Sequence, residues 1–305
     1  MRRVIPPLAA LPFVALLLPA GCAPVRTGNL GPAPGGSSPA TATPTGAAPG
    51  TPAPATSPGG RTPSPSAVPT APASGGTPSP EGTVTVQLWF TRDGRLVPTR
   101  RTLPATLATS RLALTELAAG PSPAETATGM ATLVPPGWQV TRIANGVATL
   151  AAPAGLDGGG ATSARLRRAQ VVWTLTQFPT VRRVAFAADD ATPSGRDDYA
   201  DLLPPIVVTA PAVGDRITSP VTVTGTAAVF EATVSVRVLD AAGREIGTAF
   251  TLAACGSGCR GDYRVHVGYR RATAGPGTVE VYEVSARDGS RVHVVAIPVV
   301  MAAAG

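Results

Sequence analysis

QVVWTLTQFPTVRRVAF, Gln170 to Phe186, sets a helix, a proline stop and a strand in immediate succession. A helical reading puts Leu166, Ala169, Val172, Trp173 and Thr176 on one side, a broad apolar stripe that needs a sheet to cover it. Pro179 ends that helix, because a proline removes a backbone donor and clashes with the preceding turn. Beyond it Val181, Val184 and Phe186 are interrupted by Arg182 and Arg183, the pattern of a strand with one face in water. The register requires Trp173, Phe178 and Phe186 to be largely buried and Arg182 and Arg183 exposed. No catalytic side chain sits in the stretch, so it reports architecture and not chemistry.

Working towards the N-terminus, residues 83–190 supply the rest of one domain. TVTVQLWF alternates Val84, Val86, Leu88 and Phe90 against Thr85, Gln87 and Trp89, a strand with one face in a core. Asp93-Gly94 is a turn signal, after which Arg95 to Leu103 returns as a second, short strand. Ser110 to Ala119 reads as a helix with Ala113, Leu114 and Leu117 inward, stopped at Gly120-Pro121. Trp138 to Ile143 and Val147 to Ala151 form a hairpin across Asn145-Gly146. The loop LDGGGATS then leads into the helix of the opening stretch, with Thr162 or Ser163 as its cap. The sum is roughly βαββαβ, an α+β domain with helices on one face of a small sheet.

Towards the C-terminus, residues 191–204 are polar and read as a hinge. Over 205–300 everything reads as strand: Ile206 to Thr209, Val221 to Thr226, Thr233 to Leu239, Ile246 to Leu252, Tyr263 to Tyr269, Thr278 to Ser285 and Val292 to Val299. Short Val-rich segments between Gly, Pro and Asp turns make a β-sandwich the natural solution.

Ahead of both domains the composition changes. Residues 1–22 carry two arginines, an apolar run from Val4 to Leu18, then Ala20, Gly21 and Cys22, a secretory signal whose run is too short and too proline-broken for a membrane-spanning helix. LLPAGC resembles the lipobox of bacterial lipoproteins, which implies a diacylglycerol on Cys22 and a cell-membrane anchor; Pro19 stands where that pattern has leucine, with Leu18 one place further back. The alternative is an ordinary secretory signal with an incidental cysteine. Residues 23–80 are almost entirely Pro, Gly, Ala, Ser and Thr, with Arg26 and Arg61 as the charged side chains, and cannot bury a core. As a flexible coil such a linker spans about 40 Å, and as polyproline II it reaches about 180 Å, enough for a tether across a cell wall.

Charge excludes one class of partner. The formal net charge is +7 over 305 residues, and all 25 basic residues are arginine. They are spread out, with no run in which arginines and aromatics interleave as a nucleic-acid surface needs, and aromatics are 4% of the chain.

The motifs VTVQLWF, LVPTRR, LTELAAGP, LVPPGWQV, NGVATL and VVWTLTQFPTVRRVAFAADD follow one another in an order that resembles the GerMN domain of sporulation and germination proteins. The resemblance implies a ring-building-motif-like α+β fold with no catalytic residues. IVVTAPAVGDRITSPVTVTGTAAVFEATVSVRV, GDYRVHVGY and VYEVSARDGS resemble the Gmad-type immunoglobulin-like domain found beside GerMN units, which implies binding or assembly.

Candidate chemistry is sparse. Cys255 and Cys259 in CGSGC lie on a turn between two strands of an exported domain, which favours a local disulfide; a metal site would need further ligands, and the two histidines, His266 and His293, lie inside alternating strands. Glu231, Glu280 and Glu283 are the carboxylates to consider for a glycosidase pair, against an ordinary role in surface charge. Arg165, Arg167 and Arg168 follow the glycine-rich loop and could meet an anion there, without any phosphate-loop pattern. The expectation is therefore a protein that is not an enzyme and needs no cofactor or metal. It is anchored outside the cell membrane and presents two interaction domains to envelope proteins or cell-wall polymer. The alternatives are a peptidoglycan- or glycan-binding module that uses exposed Trp89, Trp138 or the arginines as its contact surface, and a cell-wall hydrolase in which His266 or His293 meets a carboxylate and a nucleophile.

Overall fold

The alternation in TVTVQLWFTR becomes β1 (Thr83–Arg92), which turns at Asp93-Gly94 and pairs antiparallel with β2 (Arg95–Pro104). Both turn residues have positive φ, 51° and 71°, as a two-residue hairpin matched to strand twist requires. The computed structural model describes residues 82–154, 158–187 and 192–305. The signal, Cys22 and linker expectations lie outside those residues. β2 runs one residue past the Arg95 to Leu103 strand read from the sequence and is as long as β1.

Two helices follow. α1 (Thr109–Ala119) buries Ala113, Leu114 and Leu117 as expected and stops at Gly120, whose φ is 90°. α2 (Pro123–Thr126) is opened by Ser122, which accepts from the Glu125 N–H while Glu125 accepts from the Ser122 N–H at 2.8 Å. β3 (Gln139–Ala144) and β4 (Val147–Ala151) form the second hairpin, and β5 (Arg183–Ala185) joins β4 in parallel. The order is ββααββαβ, one hairpin strand and one short helix, α2, more than βαββαβ. The strands form two ladders, β1-β2 and β3-β4-β5, rather than one sheet.

α3 (Gly160–Leu175) lies between these parts. Its C-terminal half is not a one-sided stripe: every residue from Ala169 to Leu175 is buried, Gln170 and Thr174 completely. The reason is hydrogen bonding. One edge of β1 faces β2, and the other, at Gln87, Trp89 and Thr91, needs partners of its own. Thr91 exchanges backbone bonds of 2.8 Å with Ala131. The Trp89 N–H donates to Thr174 Oγ1 at 3.1 Å, and the Trp89 carbonyl accepts from Gln170 Nε2 at 3.0 Å. Gln177, just past the helix, takes the Gln87 N–H on Oε1 and gives Nε2 to the Gln87 carbonyl, each at 2.7 Å. Positions i, i+4 and i+7 share one helix face, so three polar side chains act as the missing strand. The free side of Gln170 accepts the Leu133 N–H at 2.9 Å.

Trp173 and Phe186 are buried, Phe178 packs partly buried against the same core, and Arg182 and Arg183 are exposed, as the opening stretch required. The helix begins at Gly160 after Gly159 in the left-handed region, without a side-chain cap. Thr162 and Ser163 lie within its first turn and do not cap it. It ends at Leu175, before Pro179 is reached.

The expected hinge is a packed element. Ser194 makes an antiparallel bridge to Val184, residues Asp197–Leu202 form a 3-10 turn, and Tyr199 and Leu203 are buried in the first domain's core. Apolar residues at 199, 202 and 203 fall on one side of that turn, and this weak signal was hidden by the aspartates around them.

The second domain is a sandwich. One sheet has the order β10-β9-β12-β13-β7 and the other β11-β8-β6. All seven expected strands are present, as β6 (Ile206–Ala210), β8 (Val221–Ala227), β9 (Thr233–Asp240), β10 (Glu245–Leu252), β11 (Gly261–Val267), β12 (Gly275–Val284) and β13 (Arg291–Met301). A two-residue β7 (Arg216–Ile217), lost in the sequence between turns, runs parallel to the end of β13. Alternate valines of β8, β9 and β12 fill the interior. Val207 of β6 belongs to the first domain's core, so the two cores are sewn together.

Removing the side-chain surrogate strand should be costly. Thr174→Val keeps the shape but leaves the Trp89 N–H buried and unpaired, and is expected to lower unfolding free energy by about 1–3 kcal/mol in urea titration. Gln170→Leu strands two backbone groups and should cost more.

Glu125 gives a pH-dependent prediction. Burial pushes its carboxyl pKa upward, but hydrogen bonds from Arg101, Thr99 and the Ser122 N–H outweigh that and hold it at about 2. A depressed carboxyl stabilises the fold above its unfolded value, near 4.5, and the contribution fades as pH falls towards 2. Glu125→Gln should therefore lose on the order of 3 kcal/mol at neutral pH, and in melts the gap to the parent should narrow below about pH 4.5 and close only as the pH reaches about 2.

Candidate functional site

The packing of the two domains leaves a cleft of about 720 Å³ between them. One wall comes from the first domain, through Gln87, Trp89 and Trp173, with Arg196 from the 192–204 segment. The floor is the outer face of the β11-β8-β6 sheet, where alternation turns Thr224, Thr226, Asp262 and Arg264 outward while Val223, Val265 and Tyr263 point into the sandwich. Arg260, at the start of β11, closes the far end.

Gly225 shows how tight the floor is. A Cβ there would sit 1.9 Å from the Val207 carbonyl oxygen and 2.7 Å from the Tyr263 hydroxyl, so only glycine lets β8 and β6 approach with Tyr263 beneath them. The Tyr263 hydroxyl donates to that same Val207 carbonyl at 3.1 Å, and burial raises its pKa far above the ordinary tyrosine value.

The two arginines that frame the cleft are held by neutral groups. Arg196 lies over the Trp173 ring, its guanidinium carbon 4.6 Å from the centroid. It donates from Nε to Thr176 Oγ1 at 2.7 Å and from Nη2 to the Trp173 carbonyl at 3.4 Å. Arg260 donates from Nη2 to the Pro204 carbonyl at 2.6 Å and from Nη1 to Thr226 Oγ1 at 3.2 Å, with longer bonds to the Thr226 and Pro205 carbonyls. Burial lowers the pKa of both, though not enough to discharge a guanidinium. Among the described residues no carboxylate pairs with either. Neither arginine stood out in the sequence: Arg196 sits in a segment read as a hinge, and Arg260 directly follows CGSGC.

The residues that did stand out are dispersed. Cys255 and Cys259 are joined as a disulfide, with Cα atoms 5.8 Å apart. His266 Nδ1 meets Thr222 Oγ1 at 3.0 Å on the outer face of β11, whereas His293 Nε2 lies 3.7 Å from Glu283 on the other sheet. Glu280 is paired with Arg237 across β12 and β9, Glu283 accepts the Phe230 N–H at 3.1 Å, and Glu231 is exposed on a turn with φ of 51°. Glu280 is thus held in an ion pair, whereas Glu283 is engaged by the backbone of the turn that carries Glu231 and lies near His293. Among the described residues no group of three or more His, Cys, Asp or Glu is placed to hold a metal ion.

Two alternatives that the sequence left open are not realised as read. Arg165, Arg167 and Arg168 do not converge on an anion site: Arg165 pairs with Asp201 at 2.7 Å, Arg167 is buried and donates to the Leu133 carbonyl at 2.8 Å, and Arg168 lies over Phe186. Within one turn of a helix each residue is rotated by about 100° from the last, so such side chains meet different neighbours. Trp89 and Trp138, 3% and 7% exposed, are core residues and not an open aromatic platform for glycan.

Residues 78–193 match the Germane family model, described as sporulation and spore germination, and residues 205–290 match Gmad2, the immunoglobulin-like domain of bacterial spore germination. The chain carries a GerMN-like domain followed by a Gmad-type immunoglobulin-like domain. One solved structure it matches is the tandem GerMN domains of the sporulation protein GerM from Bacillus subtilis, at 16% identity and a TM-score of 0.32, covering 61% of this chain and 62% of that one. The assignment rests on the two family models. No curated protein matches the chain significantly. Neither family description names a catalytic activity.

In the Gmad-type domain the disulfide closes a loop between residues only four apart in sequence. Its effect on chain entropy is correspondingly small, and Cys255→Ser with Cys259→Ser should lower unfolding free energy by no more than about 2 kcal/mol, measured by denaturant titration beside the reduced parent.

Proposed function

We propose that this chain is a non-enzymatic envelope protein of the sporulation and germination families, held outside the cell membrane by an acyl group on Cys22. It presents the GerMN-like and Gmad-type domains as one binding body. The observation that carries the reading is the sequence of parts: an Arg-led apolar run, a cysteine directly after Ala20-Gly21, 58 residues of linker composition, and two family domains whose cores share Val207. A proline-rich stretch of that composition is too poor in apolar side chains to build a core of its own, and it suits a tether between a membrane anchor and a binding head.

An acyl chain contributes about 0.8 kcal/mol per buried methylene, so a diacylglycerol holds a protein at the bilayer where one myristoyl-length chain does not. The head acts by binding. His266 meets Thr222 and His293 lies beside Glu283 on the other sheet, neither of them lining the cleft, and the hydroxyls, guanidinium groups and single carboxylate of the cleft form no nucleophile–base pair among the described residues.

Cells fed a clickable fatty acid should label the parent chain and not Cys22→Ser, and only the parent should partition into the detergent phase. Equal labelling and equal partitioning of the two would overturn the anchor.

A further inference from the structure

We propose that the cleft between the GerMN-like and Gmad-type domains is a binding site for an acidic peptide segment, whose carboxylates are taken by Arg196, Arg260 and Arg264. The inference deepens the binding role stated above and is independent of the acyl anchor.

Charge balance is the starting point. Three arginines and one aspartate line the cleft, a net of two positive charges. Half-buried cations are normally met by carboxylates, because leaving water without one is costly. Arg196 and Arg260 have only carbonyls, hydroxyls and a Trp173 ring face around them. Nη1 of Arg196 and Nε of Arg260 donate to no described residue. The bonds they do make fix each guanidinium in place, so the fork is pre-organised and little side-chain entropy remains to be lost on binding. Arg264 is exposed on β11, two residues from Asp262 and on the same face.

Ligand chemistry follows from the rest of the lining. A guanidinium fork matches a carboxylate through two parallel N–H bonds. Thr224 Oγ1 shares one bond with Thr209 Oγ1 and Thr226 Oγ1 accepts one from Arg260, and a hydroxyl with one donor and two acceptor positions keeps capacity for the backbone amides of a ligand. Asp262 sets a negative charge on the floor, which disfavours a uniformly anionic polymer and suits a chain that carries N–H donors between its acids. A volume of about 720 Å³ accommodates a segment of a few residues, within the usual range for ligand sites.

The test uses the full chain carrying Cys22→Ser, so that the anchor plays no part. A blocked hexaglutamate peptide, its hexaglutamine counterpart and poly(glycerol phosphate) are titrated by calorimetry, with tryptophan emission as a second readout because Trp89 and Trp173 line the cleft. Hexaglutamate should bind one per chain and weaken with salt, and hexaglutamine should not bind. Arg260→Gln and Arg264→Gln should each weaken binding about tenfold or more. Arg111→Gln with Arg287→Gln removes two exposed arginines that do not line the cleft and should leave binding unchanged. Arg264 is a surface position, so its variant tests the site even if Arg260→Gln does not fold, which a thermal melt will reveal. The proposal falls if hexaglutamate does not bind, if Arg264→Gln binds it as tightly as the parent, or if poly(glycerol phosphate) is preferred to the peptide. Loss of acyl labelling with an intact titration, or the reverse, separates failure of the anchor from failure of the cleft.

Discussion

An unpaired strand edge is a liability, since every second residue turns an N–H and a carbonyl towards whatever lies alongside. In the GerMN-like domain β1 has β2 on one side and a helix on the other. Gln170, Thr174 and Gln177 satisfy that second edge at Trp89 and Gln87. The arrangement fixes the axial position of α3 against β1 to within a hydrogen bond's length, which apolar packing alone would leave free to slide. It also explains why a glutamine and a threonine lie fully buried among the alanine, valines, tryptophan and leucine of the C-terminal half of that helix. With α3 set, Trp173 is set, and with it the ring on which Arg196 rests.

From that point the coupling between domains becomes intelligible. The 192–204 segment returns across the end of α3, anchors Tyr199 and Leu203 in the first core and delivers Pro204 and Pro205 to the edge of the sandwich. Their carbonyls accept from Arg260, while Val207 packs back into the first core. Arg100 of β2 pairs with Asp215, a partly exposed contact that adds little energy but fixes orientation. Apolar burial supplies the stability, and the polar contacts decide the angle at which the cleft is held.

The cleft thus has the same physical origin as the fold. Its wall is the helix–strand joint, its floor is a sheet face that alternation leaves outside the sandwich, and its charges stand where the two meet. Aromatic rings that look available in the sequence are spent on the core, and the groups that face the opening are guanidinium and hydroxyl.

The sequence by itself determined the order of parts, because period-2 alternation and turn residues are local signals. Every strand of the sandwich except the two-residue β7 was legible, as were both hairpin turns and the burial of Trp173 and Phe186. The CGSGC pair was equally legible, since four residues on a turn leave the sulfurs few other places to go. Only the tertiary structure decided what the polar residues do. Gln170 and Thr174 count as breaks in an apolar stripe until β1 is placed beside them, and Trp89 counts as an outward residue until α3 covers it. Arg196 and Arg260 lie 64 positions apart on unremarkable segments, and nothing local marks either as special. Their roles depend on long-range contacts that set which charges lose their water, and that is fixed by packing and not by pattern.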